Sequence, residues 1–384
     1  MLLSLKKKLV PVILNLLIVP LLLSFPARAE FGSIADAAVL MEFSSGNILY
    51  EKNATVARPP ASITKLMTLL LAFEAVDEGR VTWETPVTVS EKAWRMGGSQ
   101  MFLEVGDVVT FKELVTGISV VSANDACVAV AEHLAGSEEA FVETMNAKAR
   151  EIGLQHTTFK NATGLPAEGH VMSPMDIAVL SRYLIKNYPQ VLEFESQREF
   201  TYNDIKQYNR NPLLGHYSGA DGLKTGWTEE AGYCLSATAE RDGMRLIAVI
   251  LNTNSEKERL AAAEELLDYG FLNYQLYEAV AEGETIQEIP VPNGRQLSVP
   301  VKAAAKVEVP LKKTMLGDLE RVVVVEEARA PIAEGETLGR LEIRLAGKVV
   351  GETELVAAED VKKANIFVRF FRWLLSLIKI KPAV

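Results

Sequence analysis

Pro59-Pro60-Ala61-Ser62-Ile63-Thr64-Lys65-Leu66-Met67-Thr68-Leu69-Leu70-Leu71-Ala72-Phe73-Glu74-Ala75-Val76-Asp77-Glu78-Gly79 is the stretch on which the fold of this 384-residue chain turns. It reads as one helix. The two prolines suit a first turn, where no backbone N–H is needed, and Gly79 supplies the stop. A helix apolar on nearly every face belongs inside a core rather than on a surface. Ser62 and Lys65 stand three apart, so they share a face with Cβ atoms about 5–6 Å apart, and the Lys65 amine can reach the Ser62 hydroxyl. A serine nucleophile with a lysine base needs that geometry.

Upstream, Ala35–Tyr50 reads as two strands around a Ser44–Asn47 turn. Downstream, 111–135 is helical with a break at 119–125, and 138–152 forms a further helix. A loop rich in Asn, Gly and Pro covers 159–173, and Pro174 opens the next helix, 175–185. Strand-like blocks follow at 200–202, 221–228, 232–239 and 245–252, then a last helix at 261–276. Strands, many helices, then strands again describe an α+β fold, with a helical insertion between parts of one antiparallel sheet. Past residue 276 the texture changes to strand-length runs at 285–291, 297–301, 307–311, 320–326, 337–345 and 348–355, separated by Gly, Pro and Asn turns. That pattern predicts a separate, small all-β domain with no catalytic cluster.

The composition, 48% hydrophobic and 23% charged, is that of a globular chain. Net charge is −10, with +4 in the first 29 residues and +6 in the last 24, so the middle carries −20. An acidic body argues against a nucleic-acid partner. Lys6, Lys7 and Lys8, an apolar run from Leu9 to Leu23, and Phe25-Pro-Ala-Arg-Ala29 fit a signal peptide cleaved after Ala29. Cys127 and Cys234 lie in apolar surroundings, as buried free thiols do. The four histidines are scattered, and no metal or other cofactor is expected. Between 361 and 381 the polar residues fall at 362, 365, 369, 372, 376 and 379, one stripe of a helix opposite Phe367, Phe370, Phe371 and Trp373. A basic stripe facing an aromatic one suits an amphipathic helix lying on an anionic membrane surface.

Three short patterns occur in chain order: Ser62-x-x-Lys65, Ser122-Ala-Asn124 and Lys224-Thr225-Gly226. Each is weak alone. Together they are the mark of class A β-lactamases and penicillin-binding proteins. With Asn209-Arg210-Asn211-x-Leu213-Leu214, Asp221-Gly-x-Lys-Thr-Gly-x-Thr228, Glu230-Ala-Gly-Tyr233 and Asn161-x-x-Gly164-Leu165, residues 30–381 resemble a low-molecular-mass penicillin-binding protein, a serine-type D-alanyl-D-alanine carboxypeptidase. The resemblance implies a β-lactamase/transpeptidase-like catalytic domain at 30–276, after a signal peptide at 1–29. The all-β domain then spans 277–360 and the anchor helix 361–384. It also implies a peptidoglycan stem peptide as substrate, β-lactams as covalent inhibitors, and a site at the outer face of the cytoplasmic membrane.

The chemistry assigns roles to the motif residues. Lys65 can act as a base only when neutral, and burial, the helix N-terminus and the second cation Lys224 all favour that form. Ser122 can relay a proton between Lys65 or Lys224 and the leaving amine, and Asn124 can position the substrate amide. Thr225 and Arg210 suit the terminal carboxylate of the substrate. The resemblance gives the oxyanion hole to the backbone N–H groups of Ser62 and Trp227, and sets Gly226 and Thr228 in the substrate strand. Glu168 and His170 are read as loop structure, and Asp176 as a helix-end carboxylate. The rival readings are a DD-endopeptidase using the same site, a β-lactamase, which would need a deacylating carboxylate on the 159–173 loop, and a non-catalytic wall-binding protein.

Overall fold

The computed structural model describes residues 32–314, 319–325, 327–368, 370, 372 and 373. The proposed signal peptide lies outside the described residues. The first strands are β1 (Ala37–Glu42) and β2 (Ile48–Lys52), joined by a turn in which the Glu42 carboxylate accepts from the backbone and hydroxyls of Ser44 and Ser45. A 3-10 turn at Ala61–Thr64 leads into α1 (Lys65–Asp77). Then come β3 (Pro86–Thr88), α2 (Glu91–Trp94), β4 (Val108–Thr110), α3 (Phe111–Val121), α4 (Asn124–Ala135), α5 (Glu138–Glu151), α6 (Pro174–Asn187) and α7 (Val191–Glu195). The chain continues through β5 (Glu199–Tyr202), β6 (Ile205–Tyr208), β7 (Ala220–Gly222), β8 (Thr225–Thr228), β9 (Gly232–Arg241), β10 (Met244–Thr253) and α8 (Glu256–Asn273).

One antiparallel sheet collects the two ends of this half in the order β2-β1-β10-β9-β7, with β8 also paired to β9. Side chains alternate across a strand, and the sheet uses both faces. Val39, Met41, Ile247, Val249 and Leu251 join the core of the inserted helices. Leu40 and Leu246 lie on the other face, where they approach Gly270 of α8 so closely that a Cβ there would stand 2.4 Å from Leu246. The helix α1 is buried all round, as its composition requires: Leu66, Met67, Leu69, Leu70 and Phe73 are fully enclosed. Phe73 meets Trp83 and Phe194 edge-on, with centroids 5.3 and 5.4 Å apart.

The second half is all β. β11 (Tyr274–Val280) pairs with β14 (Val307–Lys312), and a five-stranded sheet runs β12 (Thr285–Pro290), β13 (Ser298–Ala303), β17 (Lys348–Ala357), β16 (Thr337–Leu345), β15 (Leu319–Val325). Its own core includes Val299, Val301, Val309, Leu341, Ile343 and Leu355.

Three elements differ in extent from the sequence reading. The helix expected at 261–276 begins at Glu256, because the Ser255 hydroxyl caps it by accepting from Glu258 N. It ends at Asn273, since Tyr274 is already extended and paired with Lys312. The break in the 111–135 helix is short: Ser122 alone takes the left-handed conformation, at φ 63°. The terminal helix does not begin at 361. Val361 is buried and bridges to Ile332, Ala364 N donates to Asn293 O, and the helical residues start at Ile366, where Asn365 Oδ1 accepts from Val368 N. Ile366, Phe367, Phe370 and Trp373 are exposed, while Arg372 donates to the carbonyls of Gly294 and Arg295. Positions 369, 371 and 374–384 lie outside the described residues. Among the described residues no helix is long and apolar enough to cross a membrane.

Candidate active site

Ser62 sits in the 3-10 turn rather than in α1 itself, and Lys65 is the first residue of α1. The turn keeps the two side chains one above the other: Lys65 Nζ donates to Ser62 Oγ at 2.9 Å. The same amine donates to Asn124 Oδ1 at 2.7 Å and to the backbone carbonyl of Thr163 at 2.6 Å. Lys65 is completely buried. Burial is the main cause that lowers its pKa to about 8, and Arg210 adds to it, while Cys127 and Asp125 act the other way. Arg210, rather than Lys224, is thus the neighbouring cation that most favours the neutral amine.

Glycine makes the site possible at two points. Gly164 has φ +84°, and a Cβ on it would come within 1.8 Å of Ala61 O and 2.8 Å of Thr64 Oγ1. Its N–H, with that of Thr163, donates to Asn161 Oδ1, so the Asn161-x-x-Gly164 turn holds the Thr163 carbonyl on Lys65. On the other side, a Cβ at Gly226 would stand 3.0 Å from Pro60 O and 3.2 Å from Ser62 N. Strand β8 therefore passes directly beside the nucleophile turn, which a larger residue prevents.

Ser122 ends α3, and its buried Oγ has no hydrogen-bond partner among the described residues, leaving it available for a proton relay. Asn124 opens α4. Its amide is engaged at both ends, by Lys65 and, through Nδ2, by Gly97 O at 2.7 Å. That arrangement orients Lys65; the expected contact with the substrate amide would have to exchange one of these bonds. Asp125, next to it, accepts from the backbone of Met101 and Leu103 and so fixes the 99–103 loop against α4.

Lys224 is buried, and among the described residues its amine meets only the Thr225 carbonyl, at 3.3 Å. Burial lowers its pKa as well, to about 7. Thr225, Gly226, Trp227 and Arg210 line a cleft of about 540 Å³ that also contains Ser62 and Ser122. Trp227 is exposed and packs against Tyr233. Arg210 is exposed and has no carboxylate partner among the described residues. Its loop is shaped by its neighbours: Asn209 accepts from Asn211 N, and Asn211 accepts from Leu213 N. Thr228 does not line the cleft; its hydroxyl accepts from Ala231 N and closes the β8–β9 turn.

The remaining candidates fall where the sequence suggested. Glu168 is exposed on its loop. His170 is buried, bonded to Thr64 Oγ1 at 2.7 Å and accepting from Lys160 N, and burial lowers its pKa to about 4, so it is a neutral support behind the nucleophile turn. Asp176 lies in the first turn of α6 and accepts from His156 N and Thr157 Oγ1. Cys127 and Cys234 are buried free thiols. No group of three His, Cys, Asp or Glu side chains among the described residues could hold a metal ion.

The sequence reading missed three groups. The Thr163 carbonyl is backbone and has no side-chain signature. Arg259 reaches the cleft from α8, mostly buried, 3.9 Å from Glu256 and over the Tyr233 ring. Glu195 is fully buried at the end of α7, close to Gly222, and no pattern in the sequence marks it.

Comparison with known proteins gives a consistent picture. Residues 27–255 match the family model described as D-alanyl-D-alanine carboxypeptidase, and residues 274–363 the model of the penicillin-binding protein 5 C-terminal domain. The chain is 40% identical to D-alanyl-D-alanine carboxypeptidase DacF of Bacillus subtilis, over 90% of each chain. It is 34% identical to DacC of Escherichia coli, over 89% of this chain and 88% of that one. Its fold matches penicillin-binding protein 5 of Haemophilus influenzae with a TM-score of 0.80 at 34% identity, covering 87% of this chain and 99% of that one. Penicillin-binding protein D2 of Listeria monocytogenes in its ampicillin-bound form matches with a TM-score of 0.58 at 35% identity, covering 63% of this chain and 99% of that one.

Gly164 offers a test of the site's geometry. Gly164→Ala should push the Thr163 carbonyl off Lys65 and slow acylation of Ser62 by a fluorescent penicillin about hundredfold, as misplacements near 1 Å do, with the far-UV circular dichroism unchanged. Labelling at the parent rate would show that the Thr163 contact does not matter.

Proposed function

Because the chain belongs to the D-alanyl-D-alanine carboxypeptidase family, we infer that it is a serine peptidase that removes the terminal D-Ala from peptidoglycan stem peptides and is acylated by β-lactams. The observation that carries this reading is the buried Lys65 amine, in contact at once with Ser62 Oγ, Asn124 Oδ1 and Thr163 O.

In the proposed reaction the neutral Lys65 amine takes the proton of Ser62 as Oγ attacks the penultimate D-Ala carbonyl. The backbone N–H groups of Ser62 and Trp227 hold the developing oxyanion, which the close approach of Gly226 to Ser62 N supports. Thr225 and Arg210 receive the terminal carboxylate, with Lys224 as the cation beneath them. Ser122, whose hydroxyl is otherwise unpartnered, passes a proton to the leaving D-Ala amine, and Lys65 or Lys224 replenishes it. Attack of water on the acyl-enzyme then releases the shortened peptide, and the Lys65 amine is the base within reach of Ser62 Oγ for that step. The exposed position of Glu168 speaks against a β-lactamase-like deacylating carboxylate on that loop.

Export, with residues 1–29 as a cleaved signal, belongs to the same proposal. So does the division into a catalytic domain at 30–276, a β domain at 277–360 and a peripheral membrane helix at 361–384. The separate cores of the two halves and the exposed Phe367, Phe370 and Trp373 support it. In this reading the substrate lies in the cell wall, outside the cytoplasmic membrane.

Incubating the protein with diacetyl-L-Lys-D-Ala-D-Ala should release free D-Ala, and Ser62→Ala should abolish both that release and fluorescent-penicillin labelling. Labelling that persists in the variant contradicts the assignment of the nucleophile. For the tail, Phe371→Glu with Trp373→Glu should abolish co-flotation with anionic vesicles; unchanged flotation rules the anchor out.

A further inference from the structure

The segment leading into the terminal helix borders a second polar hollow, far in sequence from the catalytic motifs. It measures about 370 Å³ and is lined by Arg295, Gln296, Asp360 and Lys362. Its frame is paired backbone. Gly294 bridges to Lys363, Arg295 N donates to Lys362 O at 2.6 Å, and Ala364 N donates to Asn293 O at 3.0 Å. The turn is tight as well: a Cβ at Gly294 would stand 2.5 Å from Gln296 O and 2.7 Å from the Val361 side chain. A hydrogen-bonded turn, not a loose tail, therefore presents these side chains.

The cations in the hollow are unspent. Of the five arginines between 277 and 360, Arg321, Arg329, Arg340 and Arg344 each meet a glutamate carboxylate. Arg295 meets none among the described residues, and the Gln296 and Lys362 side chains likewise have no polar partner there. The acid of the set is already engaged, since Asp360 Oδ1 accepts from Glu334 N at 2.9 Å. An acidic body offers carboxylates to its cations, so an arginine and a lysine left unpaired side by side form a local attractor for an anion from outside.

The neighbours of the hollow say which anion. Arg372 donates to the carbonyls of Gly294 and Arg295 at 2.7 and 2.8 Å, which docks the terminal helix on the same turn. That helix exposes Ile366, Phe367, Phe370 and Trp373, and the turn itself exposes Leu297. Cations beside exposed aromatic and aliphatic side chains suit the boundary between headgroups and acyl chains. Arg295 and Lys362 against Asp360 leave one positive charge, which complements a phosphodiester monoanion better than free phosphate, whose charge at neutral pH is closer to two.

We propose that this hollow is a headgroup site for an anionic glycerophospholipid, so that lipid selectivity lies in the 292–297 turn as well as in the helix. The Arg295 guanidinium takes two phosphate oxygens as a fork, the Lys362 ammonium adds a point charge, and the Gln296 amide donates to the headgroup. The proposal rests on the reading of 361–384 as a peripheral membrane helix.

The first test is co-flotation of the full chain with phosphatidylcholine vesicles, with and without phosphatidylglycerol. Arg295→Gln with Lys362→Gln should lower partition onto the anionic vesicles about thirtyfold, and leave partition onto phosphatidylcholine and D-Ala release unchanged. Arg295→Lys, which keeps the charge but loses the fork, should still cost about fivefold. A double variant that keeps the anionic preference, or Arg295→Lys that equals the parent, overturns the site, the latter because attraction would then be diffuse. A second test does not depend on the helix. Soluble dihexanoylphosphatidylglycerol should shift the Arg295 guanidinium resonance of the 15N-arginine-labelled chain, assigned by its loss in Arg295→Lys, and inorganic phosphate at the same concentration should not. No shift with the lipid, or an equal shift with phosphate, overturns the proposal. A parent chain that floats with neither vesicle contradicts the membrane-helix reading instead, and the lipid titration then decides the site alone.

Discussion

A single buried amine organises the catalytic half. Lys65 Nζ is shut off from water and held by Ser62 Oγ, Asn124 Oδ1 and the Thr163 carbonyl, which come from the nucleophile turn, the start of α4 and the 161–164 loop. Two opposing effects meet there. Three acceptors favour the ammonium, whereas loss of hydration favours the amine. The balance lowers the pKa to about 8, which brings the neutral amine within reach near neutral pH. A base in that range is protonated often enough to be stable in its site and free often enough to act.

Much of the local design follows from keeping this amine closed in. Gly164 lets the 161–164 loop pass against Ala61, and Gly226 lets β8 pass against Ser62. The apolar α1 carries Lys65 into the core, so the base is desolvated by the helix that positions it. Asp125 and His170 do their work on backbone and hydroxyl groups, holding the 99–103 loop and the Ser62 turn from outside. Asn124 faces Lys65 more than it faces the cleft, a role that its place three residues after the end of α3 does not announce.

The sequence was most informative where one residue type had a single physical use. The apolar face pattern of 65–77, the prolines before it, and the serine-lysine spacing led directly to a buried nucleophile helix. The sheet of β1, β2, β9 and β10 and the all-β second half were also legible from alternation and turns. What stayed hidden depends on tertiary contact. The carbonyl of Thr163 and the approach of Glu195 to Gly222 involve residues distant in sequence, and a lone Glu at the end of a five-residue helix looks like any other. Tyr274 reads as part of the preceding helix until its partner Lys312 is known. Periodicity reads the basic stripe at 361–381 as charge free to meet an anionic membrane surface, yet Arg372 donates to the carbonyls of Gly294 and Arg295, so periodicity alone overestimates the free charge of that face.

Burial brings Lys65 within reach of neutrality, and its titration can be read without any substrate. In the full chain labelled with 15N at lysine Nζ, the Lys65 resonance, assigned by its loss in Lys65→Arg, should titrate near about 8. Titration at the ordinary lysine value of 10.5 would contradict the account, because Ser62 would then have no base at neutral pH.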